Sequence, residues 1–276
     1  MVKVVAARIR LPLFSVTHPE SFQVLTSLPI PQPATLVGAL AYGLGVHTGK
    51  GAQVYQELLE LAQRGELLAA RARIMGANGQ GVSVLVPSSV VLRRFRIADK
   101  AHEAKKKGEK KPILLLREHL ASGNYASVKR LLEVNLTDAL YREYVMGYEL
   151  LAVWVFSRDI VEESAFWYIN RLGDTESLCT VADVRAVEGS LAKAREVETS
   201  FPAPLTPGAR LLEGNFMIAK ANDERRELRT YAIPLRATVR TWKGRRYRLL
   251  QHSTVRIRYE EEVAVCDTPL GALVIG

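Results

Sequence analysis

The sequence of 276 residues predicts an α+β protein with a large first domain, residues 1–198, and a smaller β-rich domain, residues 199–276. Two observations support this prediction. Strand-like and helix-like segments alternate through the first part, and a run of short strand-like segments fills the last part. Between the two lies Phe201–Gly208, whose three prolines and terminal glycine are typical of a boundary.

The first predicted element is a strand, Val2–Leu13, in which alternation places Arg8 and Arg10 on the same face. The polar loop that follows is too long for an ordinary connection and contains aromatic, hydroxyl and amide side chains, which is typical of a functional loop. The loop side chains that we consider candidates for ligand binding are Phe14, Ser15 and Gln23.

A helix is predicted from Pro33, which suits the first helical turn, and several small residues along it allow close approach. The unpaired N–H groups and the positive dipole end at a helix start favour a bound phosphate. Thr35 and Gly38 are therefore candidate phosphate contacts. Tight packing of the helix against the sheet is the alternative.

The later elements complete the order strand, helix, strand, insertion, strand, helix, strand, with one additional supporting helix. This order predicts a ferredoxin-like βαββαβ domain. The predicted elements are the helices Gly51–Arg64 and Glu162–Arg171 and the strands Leu67–Ile74, Val82–Leu92, Tyr141–Phe156 and Leu178–Val187.

The formal charge of +9 is concentrated in two segments. Arg93–Glu118 contains ten Lys or Arg against four Asp or Glu, and Arg225–Arg258 contains eleven against one, so the rest of the chain carries −7. Clustered cations favour a polyanion, because they neutralise phosphates and release counterions. A solvated basic face is the alternative, and the candidate contacts are Arg93, Arg94, Arg96, Lys105, Lys106, Lys107, Arg245 and Arg246.

An insertion at about residues 93–141 begins with RRFRIADKAHEAKKKGEKKP, residues 93–112, which is polar, basic and nearly free of large apolar residues beyond its first few positions. We expect it to project from the domain as a mobile arm.

Several classes of protein are disfavoured. No apolar run approaches the ~18 residues of a membrane span, and the N-terminus does not resemble a signal peptide, so we expect a soluble cytoplasmic protein. Cys179 and Cys266 lie far apart, which indicates buried free thiols and neither a disulfide framework nor a metal site. We predict no cofactor and no metal.

Catalysis by metal-independent RNA cleavage is an alternative, and it needs a base, an acid and a cation around the phosphate. His18 and His47 with Tyr42 form the one arrangement worth testing. His102 and His119 flank the basic stretch, which is a poor scaffold for accurate positioning.

A polar turn, Leu172–Leu178, has side chains that can accept hydrogen bonds from the amino groups of an exposed base. Its acids are two residues apart and do not form a ligand cluster for a metal. RNA or subunit contact and a purely structural turn both remain open for Asp174, Thr175, Glu176 and Ser177.

Several motifs resemble one protein family. The N-terminal part contains FSV (14–16), FQV (22–24) and PQPATLVGAL (31–40). These motifs resemble the N-terminal signature of the Cas family numbered five, which belongs to the RAMP superfamily of CRISPR proteins. The motif LGDTESL at residues 172–178 resembles the archaeal subtype I-A branch of that family, and REY at residues 142–144 also fits it. The match covers residues 8–45 and 141–187 well and the C-terminal third loosely.

The resemblance implies a ferredoxin-like RAMP fold and a non-catalytic subunit of the Cascade surveillance complex in antiviral defence. Such a subunit binds the 5′ handle of crRNA. The resemblance also implies a β-hairpin thumb, here residues 93–141, that contacts the helical backbone subunit, and a surface for the large subunit; target DNA is an additional candidate. A sister branch cleaves CRISPR repeat RNA, which keeps the endoribonuclease alternative open.

Overall fold

The computed structural model describes residues 1–21, 24–75, 84–95, 108–147, 149–174 and 176–276. No helix within these ranges is long and apolar enough to cross a membrane. The chain divides into two compact units, and the predicted boundary at residue 198 falls inside the larger one. The larger unit comprises Met1–Phe22, Thr26–Ser88 and Glu143–Gly276, and the smaller comprises Gln23–Leu25 and Ser89–Arg142.

The described elements give a mixed α/β protein in which strands predominate. The helices are α1 (Pro33–Thr48), α2 (Gln53–Gln63), α3 (Pro112–Ala121) and α4 (Tyr125–Asn135), with a 3-10 helix, η1 (Glu163–Tyr168). The strands are β1 (Val2–Arg10), β2 (Leu13–Phe14), β3 (Val24–Leu25), β4 (Leu67–Ile74), β5 (Val84–Phe95), β6 (Thr137–Met146), β7 (Glu149–Phe156), β8 (Thr180–Thr199), β9 (Ala203–Pro204), β10 (Arg210–Gly214), β11 (Met217–Asn222), β12 (Leu228–Ile233), β13 (Leu235–Trp242), β14 (Arg245–His252), β15 (Val255–Asp267) and β16 (Leu273–Val274).

A seven-stranded sheet lies at the centre of the larger unit, in the order β10–β15–β8–β1–β7–β4 with β16 on β15. β1 pairs antiparallel with β7 from Lys3 to Arg10 and with the first half of β8 from Val2 to Arg10. β4 pairs antiparallel with β7. Four of the five strands predicted for the first domain therefore contribute to a continuous antiparallel block, β8–β1–β7–β4, whereas the predicted strand Val82–Leu92 corresponds to β5 of a different sheet.

The two faces of β1 enter different hydrophobic clusters, as alternation along a strand requires. Val5, Ala7 and Ile9 are fully buried in the cluster that includes the apolar side chains of α1 and α2. Val4 and Ala6 pack in a second cluster on the opposite face. Burial of a Val or Ile side chain stabilises the fold by about 1.5–3 kcal/mol, so both faces of this strand stabilise the sheet.

Helix α1 begins at Pro33, as predicted, and ends at Gly49, whose φ of 71° is left-handed. Its small residues permit close packing at one position in particular. A Cβ atom on Gly43 would lie 2.6 Å from the carbonyl oxygen of Ala165 in η1. At Gly38 a Cβ atom would meet nothing within 4 Å, so packing does not require glycine there.

Several predicted boundaries were wrong. The strand Val2–Leu13 ends at Arg10, because Pro12 has no N–H to continue the ladder, and β2 is a separate strand. The strand Tyr141–Phe156 is two strands, β6 and β7. Gly147 lies at the break, where a Cβ atom would be 2.5 Å from Cδ2 of Leu85.

The helix predicted over Glu162–Arg171 is only the six-residue 3-10 helix η1. The strand predicted over Leu178–Val187 is the first half of β8, a strand of 20 residues that continues to Thr199. β8 pairs with β1 up to Gly189 and with β15 from Ser190 onwards. Gly189 lies at this change of partner, where a Cβ atom would be 2.7 Å from Sγ of Cys266.

In the smaller unit β3 pairs parallel with β6 at Tyr141 and Arg142. Helices α3 and α4 lie between β5 and β6 along the chain, and Asn124 caps α4 by accepting a hydrogen bond from the N–H of Ser127 (3.1 Å). The inserted segment therefore contains a pair of helices in addition to strands, which the expected β-hairpin thumb did not include. Residues 96–107, predicted to be a mobile projection, lie outside the described residues.

The C-terminal part of the larger unit is β-rich, as predicted. β11, β12 and β9 form a three-stranded antiparallel sheet. β13 and β14 form an antiparallel hairpin, and β14 pairs with β5 at Leu250 and Gln251. β2 pairs with Val145 and Met146 of β6.

Candidate nucleic-acid interface

Arg8 and Arg10 lie on one face of β1, as predicted, next to a carboxylate on β7. Nε of Arg10 donates to Oε1 of Glu149 at 2.9 Å, and Nε of Arg8 is 4.0 Å from the same oxygen. Asp183 on β8 is directly opposite Arg8. The guanidinium of Arg10 is half-exposed (49%), but acidic neighbours neutralise part of this arginine pair.

The polar turn Leu172–Leu178 folds onto the loop after β1. The N–H of Ser15 donates to Oγ of Ser177 at 3.0 Å, and the N–H of Asp174 donates to the carbonyl oxygen of Ser15 at 2.9 Å. Gly173 has a φ of +125°, and a Cβ there would lie 2.6 Å from the Ser15 carbonyl oxygen. These bonds give the turn a structural role.

Three of the predicted contacts are consequently hidden from ligand. The side chains of Phe14, Ser15 and Ser177 are fully buried, so in this conformation they cannot stack on a base or donate to a phosphate. Asp174 is partly buried and Glu176 is exposed. The sequence correctly indicated that the two motifs are special, but the reason shown by the structure is their contact with each other.

The start of α1 does not present the phosphate site that was predicted. The N–H of Thr35 already donates to the carbonyl oxygen of Gln32 at 3.0 Å. Gly38 lies on a cleft of about 440 Å³ between α1 and α2, lined by apolar atoms of Tyr42, Val46 and Tyr55 among others. An apolar cleft offers a phosphate no counter-charge, so the prediction for Gly38 is not supported.

The β13–β14 hairpin, Leu235–His252, has a geometry that exposes its outer end. Its two-residue turn has positive φ at both positions, 48° at Lys243 and 75° at Gly244, which is typical of a type I′ turn. The pairing of β14 with β5 stops at Leu85, two residues before Pro87, which cannot donate to a ladder. The outer rungs of the hairpin pair β13 with β14, as far as Trp242 and Arg245 next to the turn.

The hairpin has six cationic side chains and no carboxylate in its sequence. No carboxylate of the described residues lies within the 4.0 Å of an ion pair from any of them, whereas three flanking arginines of the same basic segment, Arg229, Arg256 and Arg258, are paired. Arg229, for example, is 2.9 Å from Asp223, and Arg258 is 2.9 Å from Glu196. The unpaired cations are Arg236, Arg240, Lys243, Arg245, Arg246 and Arg248.

Two aromatic residues, Trp242 and Tyr247, lie among these cations, and sequence reasoning missed them. Trp242 is 63% exposed, and Nζ of Lys243 is 4.8 Å from the centre of its ring. The signal was present in TWKGRR, where a turn dipeptide is flanked by arginine and an aromatic residue. Of the predicted contacts, Arg245 and Arg246 are the two that this hairpin brings together.

The histidines proposed for RNA cleavage are not assembled. Nε2 of His47 is 3.1 Å from Oε2 of Glu162 and 3.3 Å from Oγ of Ser164. A serine–histidine–acid relay requires the two partners on opposite ring nitrogens, so this cluster is not such a relay. No hydrogen bond or ring contact of the described residues joins His18 to His47 or Tyr42.

The remaining predictions concern metal ligands, the two cysteines and the candidate contacts that the structure does not describe. Within the described ranges no group of three metal-ligating side chains occurs. Both cysteines are buried, and desolvation raises the pKa of Cys179 to about 12 and that of Cys266 to about 11. Arg93 and Arg94 are in β5, but their side chains are not among those that the structure describes. The other candidate residues that lie outside the described residues are Gln23, Arg96, His102, Lys105, Lys106, Lys107 and Thr175.

A buried ion pair that sequence reasoning also missed fixes the C-terminal strands to the sheet. Nη1 of the fully buried Arg71 donates to the carboxylate of Glu224, and Nε donates to the carbonyl oxygen of Pro202 at 3.1 Å. The Tyr231 ring is 5.3 Å from the guanidinium. Desolvation acts to lower the pKa of Arg71, but attraction by Glu224 and its neighbours raises it overall.

Comparison with known proteins places these features in context. No protein-family model matches the chain. The CRISPR-associated protein Cas5 of Methanocaldococcus jannaschii is 29% identical over 194 residues, which is 68% of this chain and 65% of that protein. The CRISPR-associated protein Cas5 of Thermoproteus tenax is 28% identical over 228 residues, 82% of each chain. The match thus spans just under two thirds of the first relative.

Among solved structures, a CRISPR protein from Archaeoglobus fulgidus has a similar fold, with a TM-score of 0.57 at 18% identity over 100% of this chain and 99% of that one. This chain is thus similar to two CRISPR-associated Cas5 proteins, and the similarity agrees with the resemblance of the motifs at residues 14–40. The solved structure adds that this chain shares a mixed α/β fold with the Archaeoglobus fulgidus protein.

Proposed function

We propose that this chain is a Cas5-type, non-catalytic RNA-binding subunit of a type I-A CRISPR effector complex, and that it holds the 5′ handle of the guide RNA. The named relatives and the motif LGDTESL support the family and the subtype. The strand order β8–β1–β7–β4, with α1 following β1 and η1 following β7, supports a ferredoxin-like core.

The observation that carries the proposal is the group of six cations on the β13–β14 hairpin, which have no carboxylate partner in the part of the chain that the structure describes. Like charges held close together without carboxylate partners destabilise the isolated protein, and a polyanion relieves this repulsion. RNA phosphates release counterions when they are neutralised, which adds a favourable term that an isolated acidic side chain does not provide. The hairpin therefore suits a nucleic acid better than an intramolecular role.

The remaining parts of the proposal rest on the family. By resemblance to that family, the insertion between β5 and β6 contacts the backbone subunit, and another surface contacts the large subunit. Target DNA is an additional candidate ligand. The half-exposed Arg10 and the lysines 105–107 contribute further phosphate contacts. The proposed setting is the cytoplasm, where the guide RNA is assembled.

The experiment uses the purified full chain with labelled handle RNA and with repeat RNA in a chelating buffer, and it follows binding and cleavage together. If the six hairpin cations each engage a phosphate, log affinity should fall against log salt with a slope of about −4, at ~0.7 per phosphate of a single strand. A flat salt response would overturn the RNA-binding proposal.

Matched variants locate the binding surface. The double variant Arg240→Ala/Arg245→Ala should reduce the slope by about 1.4, whereas Arg256→Ala/Arg258→Ala removes the same charge from residues already paired with Glu196 and should change it less. Chelator-resistant cleavage that is lost in His18→Ala or His47→Ala would show that the chain is an endoribonuclease and would overturn the non-catalytic assignment.

A further inference from the structure

The β13–β14 hairpin has two chemically different faces, and its strand register assigns each residue to one of them. Residues directly opposite each other in an antiparallel pair point to the same face. The pairs Arg240–Tyr247 and Trp242–Arg245 therefore share one face, called here the aromatic face, together with Arg236. The pairs Val239–Arg248 and Thr241–Arg246 share the opposite face, called the aliphatic face.

The aliphatic face is turned toward the body of the larger unit at the base of the hairpin. Leu235 and Leu250 belong to this face by register, and both are buried in the main hydrophobic cluster. Nη2 of Arg248 approaches Sδ of Met217 at 3.9 Å. The aromatic face at the same level has Arg236, which is exposed. At the base of the hairpin the aromatic face is thus the more accessible one, and toward the turn its residues Arg240, Trp242 and Arg245 are exposed and Tyr247 is half-buried.

The aromatic face alternates cations with rings. Trp242 and Tyr247 occupy neighbouring rows on a diagonal, a relation in which side chains are typically ~7–8 Å apart. Arg245 lies beside the indole and Arg240 beside the phenol. Rings with adjacent cations recognise single-stranded nucleic acid, because the bases stack on the rings while the phosphates meet the cations. A duplex keeps its base faces covered and offers the rings nothing to stack on.

We infer that the aromatic face of the β13–β14 hairpin is a stacking platform for single-stranded nucleic acid, with Trp242 and Tyr247 as the stacking residues and Arg240 and Arg245 as phosphate contacts. The inference rests on the proposed RNA-binding function and adds the binding mode and the face. Sequence reasoning had named only Arg245 and Arg246, which by register belong to opposite faces.

The test measures binding of fluorescein-labelled oligouridylate of about ten nucleotides to the full chain by fluorescence anisotropy, with single-stranded DNA and duplex DNA of the same length as further arms. Trp242→Ala should weaken single-strand binding about 5- to 150-fold, the equivalent of one lost base stack. Trp242→Phe should restore most of it. Thr241→Ala, on the aliphatic face, should leave it within about twofold.

A charge-matched pair separates stacking geometry from simple attraction. Arg240→Ala and Arg246→Ala each remove one cation, but the first should weaken binding more, because its side chain lies on the platform. All these side chains are exposed, so urea denaturation midpoints should stay close to that of the unmodified chain. Binding of RNA and DNA strands with similar affinity supports stacking through base faces, and preference for RNA identifies a transcript as the natural ligand.

The outcomes distinguish the two proposals. If the unmodified chain binds no single strand, the proposed function and the platform both fail. If it binds RNA but variants of the two faces lose affinity equally, the platform is wrong and the RNA-binding function stands. If duplex DNA binds as tightly as single strands and Trp242→Ala has no effect, the hairpin recognises duplex and the inference is overturned.

Discussion

Glu224→Ala should strongly destabilise the protein, because Glu224 is the partner of a buried charge. Its Oε1 accepts from the N–H of Ala70 at 2.6 Å and from the guanidinium of Arg71, which is fully buried. Removing one partner of a buried ion pair typically costs about 3–5 kcal/mol, since the other charge stays out of water without compensation. Total stability of a domain is about 5–15 kcal/mol, so this is a large fraction of it.

The measurement is the free energy of unfolding from urea denaturation, supported by the thermal midpoint. At roughly 2–4 °C per kcal/mol, the midpoint should fall by roughly 6–20 °C. Glu227→Ala is the matched control, because Glu227 is three residues away and exposed, and its pair with Arg229 is a surface pair worth about 0–1 kcal/mol.

The conservative variant Glu224→Gln tests the two parts of the argument separately. It keeps an oxygen that can accept from the N–H of Ala70 but removes the negative charge, so its cost should lie between that of Glu224→Ala and zero. If Glu224→Ala costs less than 1 kcal/mol, as expected for Glu227→Ala, then Arg71 reaches water or another partner when Glu224 is absent. The reasoning from burial would then be wrong.

Three further predictions concern helix packing, pH and thiol reactivity. Gly43→Ala should lower the free energy of unfolding by about 1–3 kcal/mol in urea denaturation, because the new Cβ atom would meet a carbonyl oxygen of η1. Gly38→Ala in the same helix should be neutral or stabilise by up to about 1 kcal/mol, and equal effects of the two substitutions would contradict the packing described. Desolvation holds the pKa of His252 below its ordinary value of 6.5, so the folded state binds a proton at this residue less readily than the unfolded state does. The free energy of unfolding should therefore fall as pH decreases below about 6.5. His252→Gln should lessen the fall in the urea midpoint between about pH 7.5 and pH 5.5, and an unchanged fall would show that other groups cause it. Cys179 and Cys266, with buried thiols and raised pKa values, should not react with iodoacetamide at about pH 8 until the chain unfolds, and rapid labelling of folded protein would contradict their burial.

Most strand and helix positions could be predicted because the signals that mark them depend only on residues next to each other in the sequence. The alternation that placed Arg8 and Arg10 on one face is a property of any strand, and Pro33 marks a helix start for a reason that holds in isolation. Predictions failed where a distant neighbour decides the conformation. The predicted strand over residues 141–156 is two strands because β6 pairs within the six-stranded sheet and β7 within the seven-stranded sheet, and periodicity within these residues contains no information about those partners.

The sequence predicted where the positive charge of the candidate site is concentrated, but not which of its cations lack a carboxylate partner among the described residues. Composition correctly located a dense basic segment, but it could not distinguish Arg258, which is neutralised by Glu196, from Arg246, which has no carboxylate partner among the described residues. Pairing depends on residues some 60 positions apart that meet only in the folded sheet. For the same reason the buried pair of Arg71 and Glu224 could not be predicted from local patterns.

The pairing of β1 has a consequence for the order in which the protein can fold during synthesis. β1 leaves the ribosome before its partners, which are β7, residues 149–156, and the first half of β8, residues 180–189. The second half of β8 then needs β15, which ends at Asp267. The apolar first strand must therefore remain without its sheet until most of the chain is made. We expect nascent chains arrested before residue 149 to be protease-sensitive within β1, because neither of its partner strands has then been made.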